Sequence, residues 1–355
     1  MTRGARTGAR WALTMAAAAA VALTGCTRAT SHPASQPVTS GPPIASAPAT
    51  ASSPPTAPAG RYAAPLPSPV LLVQGVSSAN PAHTFKNQAW DFAMMREAFN
   101  TVALLPGDQQ TVRNARAAGL AVVLEFDYKQ DFFAGRDITR KVQAIVDQIR
   151  SNPGTVSAIQ VADRLNQDYS PAQGLAYLAA TAGVFHRELP GVPVIVSVAD
   201  RDLTCGLAGQ SSCVNTDPRF QYQTTATLDA FRASGYLDGF TLADNLKNEN
   251  AAVQVRAWQV ARARWPSPFI LLSNASQLSF PTALAPGGPQ AAALVTVYMT
   301  APVHGGADGV ALWAWHQLYQ GSVYTFLDKD GSPNTLWREM AAVATSLGLT
   351  GDGHG

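Results

Sequence analysis

The chain has 355 residues, of which 46% are hydrophobic and 14% charged, so it holds enough apolar material for a sizeable core and too little charge for a polyelectrolyte. Its 25 Lys and Arg nearly balance its 23 Asp and Glu, for a formal net charge of +2. With no basic run, this balance argues against nucleic acid as a partner.

Arg3, Arg6 and Arg10 precede an apolar stretch from Trp11 to Leu23, the basic n-region and short h-region of a secretory signal peptide. The stretch is too short to span a membrane comfortably. Leu23-Thr24-Gly25-Cys26 resembles the bacterial lipobox, which implies cleavage at residue 25 and diacylation of Cys26. Loss of the three arginines leaves the mature chain near −1. Residues 26–69 follow, rich in Ala, Ser and Thr and carrying eleven prolines. Such a segment cannot bury enough surface to offset its ordering entropy, so it reads as a disordered tether. Residues 70–350 are then a single domain of about 280 residues, a size that suits one barrel.

Apolar runs of strand length alternate with helical patterns through this domain. The strands are expected at Val70–Val76, Thr101–Leu105, Ala121–Asp127, Ile159–Ala162, Val194–Ala199, Phe240–Ala243, Phe269–Ser273 and Gly309–Trp315. Helices are expected near Trp90–Phe99, Gln109–Ala118, Ile138–Arg150, Ser170–Leu189, Thr225–Ala233, Asn250–Arg264, Gln290–Thr300 and after Ser332-Pro333. Ser170-Pro171 and Ser332-Pro333 both read as an N-cap followed by proline at the first helical position. Eight alternations with mostly apolar strands predict an α/β fold, a closed (β/α)8 TIM barrel. An open doubly wound sheet would carry a Gly-rich fingerprint after its first strand, and Gly75-Val76-Ser77-Ser78 lacks it.

One phrase recurs: Val161-Ala162-Asp163, Val198-Ala199-Asp200 and Leu242-Ala243-Asp244 each close an apolar run. A carboxylate at the tip of successive parallel strands is where such a barrel keeps its chemistry. The plainer reading is that each Asp caps the loop after it. Glu125 and Asp127 end the third run on one face, and Trp313 and Trp315 share a face of the eighth. Gln74, Ser273, Asn274 and His316 complete the expected mouth. Carboxylates beside aromatic platforms suit carbohydrate chemistry; a place in the barrel core is the other reading of the two tryptophans. Cys205 and Cys213 flank a Gly/Ser-rich loop and, in an exported protein, are expected to form a disulfide; without a nearby His, a metal site there is the weaker alternative. No nucleophile elbow, phosphate loop or His-x-His metal spacing is present, and no cofactor or metal is expected.

The stretch Gly309-Val310-Ala311-Leu312-Trp313-Ala314-Trp315-His316 resembles the eighth strand of secreted glycoside hydrolase barrels, which implies a Trp at a sugar subsite. Residues 326–334 with Trp337 resemble the turn-and-helix tail of those enzymes, and Val161-Ala162-Asp163-Arg164-Leu165-Asn166 resembles their fourth-strand end. The large retaining families use two glutamates, at the ends of strands four and seven. This chain has five in all, Glu97, Glu125, Glu188, Glu249 and Glu339, and all but Glu125 fall on helices or helix ends. Arg164 stands where a fourth-strand acid would, and strand seven ends in Ser273-Asn274.

An active enzyme would therefore combine Glu125 or Asp127 with Asp163, Asp200 or Asp244. Glu125 is the expected general acid and Asp163 or Asp244 its partner. Trp313, Trp315, His316, Asn166, Asn274 and Gln74 would contact sugar, with Arg164 orienting a carboxylate or contacting an acidic sugar. The leading expectation is a surface-anchored hydrolase of a polysaccharide or oligosaccharide, monomeric and bound to the membrane through its lipid alone. A non-catalytic carbohydrate-binding barrel is the alternative, and a structural envelope lipoprotein the third.

Overall fold

The structure is a computed structural model and describes residues 62–74, 88–200, 203, 221–243, 250–276, 289–313, 316–319, 322–325 and 335–348. The expected signal peptide and most of the tether, with Cys26, Cys205, Cys213, Asp244 and Trp315, lie outside the described residues.

The eight apolar runs form eight parallel strands that pair in chain order and close on themselves. They are β1 Val70–Gln74, β2 Thr101–Leu104, β3 Ala121–Glu125, β4 Ala158–Gln160, β5 Val194–Val198, β6 Gly239–Ala243, β7 Ile270–Ser276 and β8 Gly309–Trp313. The fold is a (β/α)8 barrel, as the alternation of elements predicts. Closure joins β1 to β8 in register from Val70 opposite Gly309 to Gln74 opposite Trp313. A side chain at Gly309 would collide with the carbonyl oxygen of Val70, so this seam requires glycine.

Strand alternation divides the apolar residues between two cores. Val70, Leu72, Ala103, Val123, Ala158, Ile195, Leu272 and Ala311 fill the barrel interior. The intervening residues, such as Leu71, Val122, Ile159 and Val196, pack outward against the helices. Helix α1 is Gln88–Ala98, α2 Gln109–Ala117, α3 Lys129–Phe133, α4 Thr139–Ser151, α5 Leu165–Asp168, α6 Pro171–Ala180, α7 Ala182–Glu188, α8 Thr225–Ala233, α9 Ala251–Arg264, α10 Pro289–His304 and α11 Thr335–Ser346. The expected stripe of α4, Val142, Ile145, Val146 and Ile149, is buried. No helix among the described residues is long and apolar enough to cross a membrane.

Several expectations need correction. The single helix expected over Ser170–Leu189 is two. It opens with the anticipated cap, in which Ser170 and Gln173 form a reciprocal capping box ahead of Pro171. It breaks at Thr181 (φ −119°, ψ −77°), whose hydroxyl donates to the Tyr177 carbonyl at 2.8 Å. Local hydroxyl–carbonyl bonding of this kind competes with helix continuation. The short helices α3 and α5 were not anticipated. Nor was an antiparallel hairpin of β9 His316–Tyr319 and β10 Ser322–Thr325, joined by Gln320-Gly321. Residues 62–69, read from composition as tether, pack on the barrel. Ala63 bridges Val156, the Ala64 amide donates to the Val156 carbonyl at 2.8 Å, and Leu66 packs against the interior core.

The base of the barrel carries a repeated device. The residue just before β2, β6 and β8 is Asn100, Asp238 and Asp308. Its side chain accepts the backbone N–H of Leu71, Val194 and Leu271, respectively, at 2.8 Å each. The same residue's own N–H donates back to the carbonyl of that partner, at 3.2, 2.8 and 2.8 Å. Before β4 the position is Ser157, whose N–H reaches Val122 at 2.7 Å while its hydroxyl donates to Pro65 of the segment beneath the barrel. These ties satisfy strand-end amides that the ladder leaves over. Asn100→Ala should strip the acceptor from the buried Leu71 amide and cost about 1–3 kcal/mol. Asn100→Asp, which keeps an acceptor, should cost less. Urea denaturation of the two variants and wild type checks the order.

Candidate active site at the C-terminal end of the barrel

Continuing the inward alternation past the apolar interior brings a ring of polar side chains to the C-terminal strand ends. β1 contributes Gln74, β3 Glu125, β4 Gln160, β5 Ser197, β6 Thr241 and β7 Asn274. Gln74, Gln160, Ser197 and Thr241 are buried, while Glu125 and Asn274 are half-buried. Hydrogen bonds knit part of the ring together. Gln160 Nε2 donates to Glu125 Oε1 at 3.0 Å, and Thr241 Oγ1 donates to Gln160 Oε1 at 3.0 Å. Ser197 Oγ donates to Asp163 Oδ1 at 3.0 Å.

Glu125 is the chemically distinctive member. Burial, reinforced by the negative charges of Asp163 and Asp127, pushes its carboxyl up to about 8, against a smaller opposing effect of the Gln160 hydrogen bond. It is therefore largely protonated at neutral pH. Its two acidic neighbours differ. Asp127 is ion-paired to the buried Lys129 at 2.9 Å and also accepts from the backbone amides of Lys129 (3.0 Å) and Asp163 (3.3 Å). Lys129 Nζ donates further to the Asp163 carbonyl. The Asp163 carboxylate stands exposed at the mouth beside this network.

The remaining expected site residues divide by the work their side chains do. Asp200 is buried and accepts from the Thr225 hydroxyl (2.8 Å to Oδ2) and the Leu203 amide (3.0 Å), so it ties the loop after β5 to the start of α8, which is the capping reading. Asn166 is wholly buried and clamps Ala199, donating to its carbonyl at 2.7 Å and accepting from its amide at 2.9 Å. That is a scaffold role, in place of the sugar contact expected. Arg164 is exposed and left-handed (φ 45°) at the turn into α5. Trp313 ends β8 and His316 opens β9; of both, the structure describes the backbone. Asp244 and Trp315 are outside the described residues. No group of three or more His, Cys, Asp and Glu able to hold a metal occurs among the described residues.

Sequence reasoning missed Gln160, Ser197, Thr241 and Lys129. Each of the first three stands three residues before a recurrent Asp, so the repeated phrase is longer than it first reads. The loops after β3 and β4 also bring aromatic rings together, with Phe133 stacked on Tyr169 at 3.9 Å between ring centroids. Behind them the Tyr177 hydroxyl donates to the Val161 carbonyl at 2.6 Å and accepts from the Tyr128 amide at 3.2 Å, which pins the ends of both strands. Burial pushes the Tyr177 hydroxyl up, so it stays neutral.

A cavity of about 630 Å³ lies at the opposite end of the barrel, among the starts of β5, β6 and β7. Its His186 and Asp238 bond to each other at 2.9 Å, and Asp238 also serves the Val194 amide as one of the base ties. The convergence of carboxyls makes the other end the candidate site.

No protein-family model and no curated protein matches the sequence. Solved structures do. The exo-β-1,4-mannosidase Op5Man5 from Opitutaceae bacterium strain TAV5 aligns with a TM-score of 0.57 and 13% identity over 82% of this chain and 62% of its own. A family 39 glycoside hydrolase from the gut symbiont Bacteroides cellulosilyticus WH2 aligns at 0.53 and 13% over 77% and 63%. GH5_18 from Streptomyces cattleya, solved in complex with GlcNAc, aligns at 0.54 and 13% over 82% of both chains. This chain thus spans about three fifths of the length of the first two. At this identity the likeness shows the fold alone, a (β/α)8 barrel shared with these glycoside hydrolases.

Folding raises the Glu125 pKa from its ordinary 4.5 to about 8, so between these values the folded state holds a proton that the unfolded chain releases. The stability tied to that proton is present in full below pH 4.5 and is lost as pH climbs to about 8. Glu125→Gln stays neutral throughout and should gain on wild type across this window. We expect its melting temperature to rise relative to wild type by at least about 2 °C, equivalent to about 1 kcal/mol in a domain of this size. Thermal melts at several pH values check this, and parallel profiles would contradict a buried titrating carboxyl.

Proposed function

We propose that this chain is a carbohydrate-active barrel that hydrolyses glycosidic bonds, with Glu125 as general acid. The observation that carries the reading is a carboxyl kept protonated at neutral pH, at a strand tip, next to an exposed second carboxylate. Hydrolysis of a glycoside needs that asymmetric pair: one acid to protonate the leaving oxygen and one base or nucleophile on the other side of the sugar ring. Asp163, or Asp244, is the partner. Trp313 and Trp315 supply stacking surface, and Arg164 contacts acidic groups of the substrate. Asp127, held in place by its ion pair with Lys129, adds negative charge that favours the protonated form of Glu125.

Glu125→Gln preserves size and removes the transferable proton, so hydrolysis should fall by roughly 10²–10⁴-fold while binding persists. Wild-type activity should decline as pH rises through about 8, where Glu125 loses its proton. Reducing-end release and calorimetric binding on one panel of polysaccharides check both. Binding without release would favour a non-catalytic carbohydrate-binding barrel. That second reading draws on the amides Gln160 and Asn274, which stand in the inner layer of β4 and β7, the strands at whose ends the resembled families carry glutamates. Neither binding nor release across the panel would leave a structural envelope role.

The same proposal includes the address. Diacylated Cys26 anchors the chain outside the cell, as a monomer, and Cys205 bonds to Cys213. Mass spectrometry of exported protein should find a lipid on Cys26 and the other two cysteines joined, and Cys26→Ala should remain uncleaved and unlabelled by a fatty-acid probe.

A further inference from the structure

The Glu125–Gln160–Thr241 chain has a consequence for where the acid's proton sits. A protonated carboxyl and a primary amide can pair in two ways. With the amide nitrogen toward Glu125, Oε1 is an acceptor and the proton belongs to Oε2. With the amide reversed, its oxygen takes the carboxyl's own O–H, and the proton is committed inward.

Thr241 decides between them. It is wholly buried, and its hydroxyl lies 3.0 Å from Gln160 Oε1. In the first arrangement that O–H has its acceptor. Reversal would set it against an N–H₂ group and leave a buried donor without that partner, which proteins avoid. The other inner-layer hydroxyl, Ser197, is committed to Asp163. We propose that Gln160 and Thr241 are positioning residues that hold the proton of Glu125 on Oε2, away from the amide. The inference rests on the hydrolytic reading only for its use of that proton; the placement itself is a property of the resting protein.

The charged groups facing Glu125 among the described residues are Asp163 after β4 and Asp127 after β3, the latter paired to Lys129 of α3. Substitutions at Gln160 and Thr241 leave all of them in place. Thr241→Val keeps the shape, removes the donor and frees the amide to reverse, so the protonated form of Glu125 gains a hydrogen bond. Gln160→Met removes the bond that favours the ionised form. Both therefore raise the Glu125 titration midpoint, whereas Thr241→Ser keeps the hydroxyl and leaves it unchanged.

Carboxyl ¹³C NMR of glutamate-labelled protein reads this directly, because the chain has five glutamates and the Glu125 signal is identified by its loss in Glu125→Gln. The expected result is an upward shift of roughly one pH unit in Thr241→Val and Gln160→Met, the size of one hydrogen bond to a charged group, with Thr241→Ser superposing on wild type. On a cleaved glycan, Thr241→Val should also lower kcat about tenfold without raising KM, and Thr241→Ser should restore it. An unshifted midpoint in folded Thr241→Val, or in Gln160→Met should Thr241→Val not fold, overturns the proposal. The titration needs no substrate. The expected shifts in a protein that cleaves nothing would support the placement of the proton and remove the hydrolase reading.

Discussion

A carboxyl group in the inner layer of a barrel loses most of its hydration, and among the described residues no cation is aimed at Glu125 to replace it. Among the same residues the donor toward it is the neutral amide of Gln160, and the nearby charges are negative. The buried Lys129 is spent on Asp127 and on a backbone carbonyl. Had Lys129 paired with Glu125 instead, its ammonium would have favoured the ionised form of that carboxyl. The distribution of one ammonium group thus sets the division of labour at the mouth.

That distribution depends on the short connection after β3. Asp127 accepts the Lys129 amide, α3 begins at once, and the lysine is turned back under the strand end towards β4. Tyr177 holds the same two strand ends from behind through a carbonyl and an amide. At the other end of the barrel, the ties of Asn100, Asp238 and Asp308 link β2, β6 and β8 each to the strand before it, and Ser157 does the same for β4. Reactive groups thus gather at one end, and at the other, side chains are used up in backbone hydrogen bonds, the division of roles expected of this architecture.

The barrel was legible because buried parallel strands are apolar on both faces and the runs are separated by helices with clear periodicity. Strand ends were harder. The runs through Asp127 and Ala162 look continuous, but regular pairing between β3 and β4 ends with Glu125 opposite Gln160, and only single backbone bonds, such as Phe126 N–H to the Gln160 carbonyl and Ser197 N–H to the Ala162 carbonyl, continue beyond. Glu125 was legible as the single glutamate at a strand tip. The recurrent Asp drew attention from the polar residue three positions earlier, where Gln160, Ser197 and Thr241 interrupt apolar runs. A polar side chain within a two-sided buried strand has nowhere to point but into the barrel, and that rule would have found all three. The capping role of Asp200 was legible through its local bond to the Leu203 amide, but its bond to Thr225 and the whole role of Asn166 were not, since Ala199, Tyr222 and Thr225 are brought near only by tertiary structure. Lys129 was hidden for a plainer reason: a lysine after a strand is ordinarily a solvated residue.

Leu66 and its neighbours pass beneath the interior core before the chain turns up into β1. With packed side chains filling its middle and Leu66 laid against them from below, the barrel is closed to passage along its axis. Whatever reaches Glu125 therefore comes from the C-terminal end of the barrel and not through its floor, as does the water that exchanges with its proton. A long chain could not be threaded through such a vessel; it could only be gripped at an end or laid across the rim.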